Sequence, residues 1–450
     1  MSRSETADVP TSLADLLGFS TDCSCGRTHA IDTRFAAIRR GAIEEVVPFV
    51  RDIGRELSLV IVEDRVTRQI AGDRVVELLE SDGHRVARCE VPDGAGGRPH
   101  ADENRLELVE AALEGTDAAV SVGAGTINDL TKLASFNRSL PYVTVATAPS
   151  MNGYTSAIAA IMRAGVKRTV ECHQPYAVVA DLEILCRAPL ELVAAGLGDL
   201  ESKPTSTADY RLGGFLRDEY YCSAPEAVVF EAERRAAESA AGLKDGDPEA
   251  IAALSEALIL SGLSMKLAGS SSPASGGEHL ISHHWDMTAN DENRVEFWHG
   301  SQVGVATIVT ATLYERLAAI DPVTIDVGRL VAEQPTRSDI QRTINERHGD
   351  RANEVATEFF SKHLEDDALR TELERVPHSS ASHPIICATA SSPHARSAVG
   401  SPCSTWLPSS TCSNHSVTTC STPPAVSAEP LKGATTPDRV DRLERDARLW

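Results

Sequence analysis

Positive charge is scarce in this sequence: 43 Lys and Arg stand against 65 Asp and Glu, a formal net charge of −22. Such acidity opposes non-specific attraction to nucleic-acid phosphates and to anionic membrane surfaces. A small phosphate-bearing substrate remains compatible, because backbone amides and a few local cations can outweigh the global field. Also missing is any run of about 18 apolar residues, so no membrane-spanning helix is expected. The opening "MSRSETADVPTSLADLLGF" has no apolar stretch after its basic residue, which argues against a secretory signal and for a cytoplasmic protein. There is no disulfide framework either. Of ten cysteines, Cys23, Cys25, Cys89, Cys172, Cys186 and Cys222 are scattered through the body, while Cys387, Cys403, Cys412 and Cys420 lie in a distinct tail. This pattern fits free thiols in a reducing compartment.

What is present is an ordinary globular balance. The chain has 450 residues, 42% hydrophobic and 24% charged, enough for two domains with sizeable cores. After an N-terminal segment (1–56), β-branched runs alternate with amphipathic stretches. "LSLVIVED" (57–64), "HRVARCEV", "TDAAVSVGAGT" and "PYVTVATAPS" read as strands. "RVTRQIAGDRVVELLESDG", "ENRLELVEAALEG" and "INDLTKLASFNR" read as the helices between them. That alternation predicts an α/β Rossmann-like domain over 57–189, its parallel sheet covered by helices on both faces. From 190 to 376 the pattern becomes helical and rich in Ala and Leu, predicting an all-α second domain.

At "AAVSVGAGTINDLTK" a strand runs into a glycine turn and then a helix. Gly123 and Gly125 permit a sharp turn and close approach of a pyrophosphate to the helix amino end. The same turn also occurs where nothing binds, because the full dinucleotide fingerprint is absent. Asp64, at the end of the first strand of the unit, can accept from an adenosine ribose and would repel a 2′-phosphate, favouring NAD over NADP; equally, it can cap the following helix. A second small-residue turn, "TAPSMNGYTS" (147–156), suits a pyrophosphate or nicotinamide amide.

Three separated stretches offer metal donors. "GLGDLESKPT" carries Asp199 and Lys203, four apart and so on one face of a helix; "SGGEHLISHH" carries His279 and His283, likewise four apart; "HGSQVGVAT" opens with His299. One carboxylate and two imidazoles suit Zn²⁺, Fe²⁺ or Ni²⁺ with positions left for a substrate oxygen. His284 is on neither shared face. "CSCGRTH" (23–29) offers Cys23, Cys25 and His29 as a metal clip, but no fourth donor is in view, and the stretch is read as a compact β-turn.

The order of "GAGTINDLTK", "TAPSMNGYTS", "KRTVECHQPYAVVADLEIL", "GLGDLESK", "SGGEHLISH" and "HGSQVGVAT" resembles the sn-glycerol-1-phosphate dehydrogenases. These lie within the superfamily of iron-containing alcohol dehydrogenases, glycerol dehydrogenases and 3-dehydroquinate synthases. The likeness runs from about "CSCGRTH" to about residue 376, and "CSCGRTH" points to the bacterial branch. It implies a dehydroquinate synthase-like fold and reversible hydride transfer between dihydroxyacetone phosphate and sn-glycerol 1-phosphate, with NAD(H) or NADP(H) and one divalent metal (Zn, Ni or Fe). It implies Asp199, His279 and His299 as metal ligands, and His283 as a group that orients substrate or relays a proton. Lys203 stands where iron alcohol dehydrogenases place another ligand, and it is a candidate catalytic cation. The implied cofactor positions are Gly125, Thr126, Ile127, Asn128, Asp129, Thr147, Ala148, Pro149, Ser150 and Ser156. Asp199 also touches the substrate side, together with Asn152, where many members carry Asp. Lys203 and Lys167 are the cations considered for the substrate phosphate. The expected partners are a small phosphorylated triose or glycerol and further copies of the chain, in a dimer or larger assembly, with no nucleic acid and no membrane insertion. The alternatives are another polyol dehydrogenase on this scaffold, or an inactive NAD-binding pseudoenzyme.

The pseudoenzyme alternative arises from the tail, 377–450. Its first sixty residues are rich in Ser, Thr, Pro, Cys and His with hardly a charge, show no sustained period, and have too little apolar surface to offset the entropy of ordering. The Cys and His spacings fit no zinc pattern. Such a segment reads as disordered, or as a shifted reading frame that replaces helices of the second domain. Resequencing the gene and translating the other two frames across codons 377–450 is expected to uncover helix-patterned sequence; its absence from both frames would refute the frameshift.

Overall fold

The computed structural model describes residues 9–94, 96–291, 297–321 and 324–375. The tail 377–450 lies outside the described residues. A short helix α1 (Leu13–Leu16) precedes a small antiparallel hairpin, β1 (Ser20–Asp22) and β2 (Thr28–Ala30). The α/β unit follows as β3 (Phe35–Arg39), α2 (Val46–Ile53), β4 (Ser58–Glu63), α3 (Arg65–Thr67), a π-helical stretch Arg68–Gly72, α4 (Asp73–Ser81), β5 (Arg85–Glu90), α5 (Glu103–Ala112), β6 (Ala118–Gly123), α6 (Gly125–Asn137) and β7 (Tyr142–Ala146). A second antiparallel hairpin, β8 (Ile158–Arg163) and β9 (Val166–Glu171), interrupts the alternation before β10 (Ala177–Asp181) and α7 (Leu182–Leu185).

Six strands form one wholly parallel sheet in the order β3-β10-β7-β6-β4-β5. β4, β6, β7 and β10 are almost entirely buried, as strands covered on both faces must be. Successive residues of β4 show why. Leu59 and Ile61 pack with Val46, Phe49 and Val50 of α2 and Val75 and Leu79 of α4. Val60 and Val62 pack on the other face with Leu106 and Val109 of α5 and Ile127, Leu130 and Leu133 of α6. The expected α/β architecture is therefore present. The sheet, however, begins ahead of residue 57. β3 pairs in parallel with β10 along its whole length, a match between positions some 140 residues apart that local periodicity does not reveal. The same holds for the β8–β9 hairpin, which hydropathy alone does not separate from the strands around it.

The helical part consists of α8 (Leu190–Leu200), α9 (Lys203–Leu216), α10 (Ala224–Leu243), α11 (Pro248–Ala268), α12 (Gly277–Asp291) and α13 (His299–Ala318). It continues through α14 (Val327–Ala332), α15 (Arg337–His348), α16 (Ala352–Lys362) and α17 (Asp366–Arg375). α10 and α11 are joined by a four-residue turn. In it Gly246 takes a left-handed φ of 66° and Asp247 caps α11 by accepting from the amides of Glu249 and Ala250. Among the described residues α11 is the one helix long and apolar enough to cross a membrane, yet 78% of its most apolar window is buried, as befits the central core helix that meets α8 and α10.

Asp199 and Lys203 do not share a continuous helix. α8 ends at Leu200 and α9 opens at Lys203 with Pro204 in its first turn, where a missing N–H costs nothing, so the four-residue spacing spans a break. α8 is instead held by glycines. A methyl group on Gly196 would overlap the Pro149 carbonyl, one on Gly198 the Gly300 carbonyl, and one on Gly300 the Ala195 carbonyl. The backbones of α8 and α13 thus touch directly where Asp199 and His299 sit. Replacing Gly198 by Ala is expected to lower unfolding stability by about 1–3 kcal/mol, read as a reduced melting temperature, and to reduce bound metal. Wild-type values of both would show that the crossing tolerates a side chain.

Candidate active site

β4 is the point where strand order reverses. The chain steps from β4 outward to β5, then returns to the other side of β4 with β6. In open parallel sheets the crevice beyond the carboxyl ends of the strands at such a reversal is the usual ligand site. A cleft of about 670 Å³ opens there, within the range common for small-molecule and cofactor pockets. Asp64 lines it after β4, Ala124 to Ile127 and Asp129 after β6, and Thr147, Ser150 and Met151 after β7. Further along are Lys167, Asp286, Phe297, Trp298 and His299. Gln69 and Ile70 of the π-helical stretch face the same space, a common setting for such a distortion.

The amino end of α6 opens onto this cleft and offers unpaired backbone N–H groups and the positive end of the helix dipole. Asp64 is a helix cap that also borders the cleft. Its Oδ1 caps α3 by accepting from the amides of Val66 and Thr67, at 2.7 and 2.8 Å, while the residue remains on the cleft wall. The other positions separate. Gly123, Asn128, Ala148, Pro149 and Ser156 are absent from the wall. Gly123 makes the turn itself, since a methyl there would meet the Ile127 side chain. Asn128 is buried and accepts from the Thr144 hydroxyl at 2.8 Å. Ser156 is enclosed and accepts from Lys132 Nζ at 3.1 Å. Lys132, which the sequence reading did not single out, is fully buried and also donates to the Gly153 and Ile158 carbonyls and to Asp129. It fixes the 147–158 turn from behind, and Asp129 accepts in addition from the Ala160 amide.

Asp199, His279 and His299 converge where His299 joins the cleft wall, with one donor atom from each lying within 4.8 Å of the others. His279 Nε2 is 3.3 Å from Asp199 Oδ1, and its Nδ1 is 2.9 Å from Glu278 Oε1. Burial pushes the Asp199 carboxyl up, but the hydrogen bond from His279, the Lys203 charge and the Asn152 amide outweigh it and hold the group ionised. Burial likewise lowers the His279 imidazole, yet the carboxylates on its two nitrogens prevail and raise it. For His299 burial is reinforced by Lys167, His279 and His283, so its imidazole is kept neutral. A neutral imidazole, an ionised carboxylate and a second imidazole braced by Glu278 form a donor set that calls for positive charge at its centre and fits a divalent cation.

Hydrogen bonds behind the donors orient them. His299 Nδ1 lies 3.2 Å from Ser282 Oγ, which donates to Gln302 Oε1; Gln302 Nε2 donates to Asp286 Oδ1 at 2.6 Å, and Lys167 Nζ to Asp286 Oδ2 at 2.6 Å. Lys167 Nζ also lies 3.4 Å from the same Nδ1, so an ammonium and a hydroxyl both stand beside this ring nitrogen. Asn152 donates through its backbone N–H to Asp199 Oδ2 at 2.7 Å and through its side-chain amide to Oδ1 at 3.2 Å. Its position is against the carboxylate, and an Asp there would set two carboxylates together. His283 stacks beside His299, ring centroids 5.8 Å apart. Lys203, like Asp199 and His279, is buried behind the cleft wall; its charge acts on Asp199, and it donates to the Ala274 carbonyl at 3.0 Å. Glu278, Ser282, Gln302 and Asp286 escaped the sequence reading, although Glu278 adjoins His279, Ser282 and Gln302 fall one helical turn from His279 and His299, and Asp286 falls two turns from His279. His284 is buried with its ring against His348, 5.5 Å between centroids.

The fold and this donor set define the class. The sequence model of the iron-containing alcohol dehydrogenases matches residues 37–189. Solved structures with the same fold include a probable glycerol dehydrogenase from Sinorhizobium meliloti (TM-score 0.52, 20% identity, covering 77% of this chain and 97% of that one). Another is the glycerol dehydrogenase of Schizosaccharomyces pombe (TM-score 0.53, 18% identity, 81% and 94%). A curated relative, the glycerol-1-phosphate dehydrogenase [NAD(P)+] of Halalkalibacterium halodurans, is 35% identical over 368 residues, 78% of this chain and 92% of that protein. The namesake of Pyrococcus furiosus is 34% identical over 62% of this chain and 78% of its own length. This chain belongs to the glycerol-1-phosphate dehydrogenase family.

Beneath the donors lies a buried charge layer in which Glu233 is 9% exposed. Burial, aided by Glu201 and opposed by Lys203, pushes its carboxyl up from 4.5 to about 8. The folded chain therefore binds this proton more tightly than the unfolded chain, and the group costs stability progressively as pH rises from about 4.5 to about 8. Glu233→Gln is expected to remove that slope, gaining up to about 5 kcal/mol at pH 9 relative to pH 4. Denaturant midpoints across pH measure it, and an unchanged slope would contradict the assignment.

Proposed function

We propose that this protein interconverts dihydroxyacetone phosphate and sn-glycerol 1-phosphate by hydride transfer, using NAD(H) or NADP(H) in the β4–β6 crevice. The observation that carries the reading is the convergence of Asp199, His279 and His299, the last of which lines that crevice. The glycerol-1-phosphate dehydrogenase similarity over 92% of the Halalkalibacterium protein supports it. A divalent cation bound there supplies Lewis-acid stabilisation to the substrate oxygen on which negative charge develops.

The chain's own residues do the rest. The amino end of α6 and the Thr147–Ser150 turn hold the cofactor phosphates and amide, and Asp64 faces the adenosine ribose, favouring NAD. Asn152 fixes the plane of the Asp199 carboxylate, so its role is to position a ligand. His283, beside His299, is the group suited to move a proton to or from the substrate oxygen. Of the two lysines considered for the substrate phosphate, Lys167 lines the cleft and Lys203 does not. Lys167 is therefore the cation assigned to it, with Asp286 holding it in place.

Purified protein assayed for NADH oxidation is expected to turn over dihydroxyacetone phosphate far faster than dihydroxyacetone. His279→Ala should lose bound metal and more than about 100-fold in turnover together. Lys167→Ala should erase much of the preference for the phosphorylated substrate while leaving KM for NADH unchanged. Equal rates on the two substrates would favour the polyol dehydrogenase alternative, and full activity in a metal-free His279→Ala chain would refute the mechanism.

A further inference from the structure

The clip "CSCGRTH" makes the tight turn expected of it. The Cys23 amide donates to the Arg27 carbonyl at 3.0 Å, the Gly26 amide to the Cys23 carbonyl at 2.9 Å, and Gly26 takes a φ of 86° that favours glycine. The fourth donor that the sequence did not show comes from the junction between α9 and α10. Cys222 is carried there, its amide donating to the Tyr210 hydroxyl at 3.0 Å. One atom each of Cys23, Cys25, His29 and Cys222 lies within 4.8 Å of the others.

The separations match one geometry. Tetrahedral Zn²⁺ with Zn–S of about 2.3 Å and Zn–N of about 2.0 Å places its sulfurs about 3.8 Å apart and each sulfur about 3.5 Å from the nitrogen. Here Cys23 Sγ and Cys222 Sγ are 3.9 Å apart, Cys25 Sγ is 3.5 Å from His29 Nε2, and Cys222 Sγ is 3.4 Å from the same nitrogen. A disulfide requires about 2.05 Å between sulfurs, so the cysteines are not so bonded. The surroundings also suit a metal. His29 Nδ1 lies 2.8 Å from the Leu267 carbonyl, which fixes its proton there and leaves Nε2 as a donor. The Cys25 amide donates to Cys23 Sγ at 3.4 Å and Tyr220 Oη lies 3.2 Å from Cys25 Sγ, contacts that stabilise thiolate charge. Arg27 stacks over the Tyr220 ring at 3.4 Å and donates to the Ala268 carbonyl, bringing a cation alongside.

We propose that Cys23, Cys25, His29 and Cys222 bind a structural Zn²⁺ that clasps the N-terminal β1–β2 hairpin to the helical part of the protein. Four protein donors leave no open position, so the ion does no chemistry on substrate. The three-residue strands of the hairpin are too short to hold themselves. The metal ties them to the end of α9, the start of α10 and, through His29, the carboxyl end of α11. This site shares no residue with the Asp199–His279–His299 set.

Cobalt substitution tests the proposal without reference to turnover, because the catalytic donor set contains no thiolate and thiolate-to-cobalt charge-transfer absorption reports cysteine ligation alone. The probe is Co²⁺ in the full-length chain with Cys387, Cys403, Cys412 and Cys420 all changed to Ser, which removes the tail thiols. The charge-transfer band is expected to be present. About one equivalent of tightly held Zn²⁺ should remain after Asp199→Ala and His279→Ala are added. Cys222→Ser should lose both band and zinc. A folded chain without the band, a band that survives Cys222→Ser, or a Cys23–Cys222 disulfide found by non-reducing mass spectrometry would overturn the proposal. If Cys222→Ser does not fold, the band in the parent chain decides the question on its own.

Discussion

The candidate site depends on one contact, the glycine crossing of α8 with α13. Gly198, Gly300 and Gly304 let the two helix backbones meet with no side chain between them, and this sets Asp199 beside His299. α8 is clamped a second time where Gly196 meets the Pro149 carbonyl, which ties it to the turn after β7. Thr147, Ser150 and Met151 of that turn line the cleft. A single helix therefore registers the candidate metal donors against the cleft, and a change of even one methylene at the crossing is felt by both, because packed interiors do not deform continuously.

Around that crossing the charges are layered. The donors Asp199 and His279 are buried, as are Glu278 and Lys203 behind them. Ionised groups that far from water persist only when each has a partner. Asn152, Lys203 and His279 answer Asp199, Glu278 answers His279, and the Ser282–Gln302–Asp286–Lys167 chain answers His299. The same arrangement that fixes the donors also leaves the cleft side of His299 and Lys167 open to a small anionic ligand. The acidity of the whole chain therefore does not conflict with the phosphorylated substrate proposed above, because a local cation and backbone amides can outweigh the global field.

The two metal sets, one assigned to catalysis and one proposed as a clasp, follow different logics. Asp199, His279 and His299 offer three donors, fewer than a tetrahedral ion takes, whereas Cys23, Cys25, His29 and Cys222 offer four, enough to close the sphere. Their donor atoms differ accordingly, oxygen and nitrogen in the first and mostly sulfur in the second.

Much of this was legible in the sequence. Alternating strands and helices announced the parallel sheet because hydrophobic periodicity is a local property of the chain. Asp199, His279 and His299 stood out because their residue types and motif order point to metal chemistry. The turn at Gly123–Gly125 was visible because glycine marks sharp strand-to-helix junctions. What the tertiary structure alone decided was every relation across distance. It placed β3 against β10, separated the cleft-lining Thr126, Asp129 and Thr147 from the enclosed Asn128 and Ser156, and broke the helix between Asp199 and Lys203. It turned Asn152 onto a carboxylate and brought Cys222 to a cysteine clip 193 residues away. The physical reason is common to all of these. Periodicity and spacing describe neighbours along the chain, whereas hydrogen bonds, charge pairs and metal donor sets are satisfied between atoms that only packing brings together.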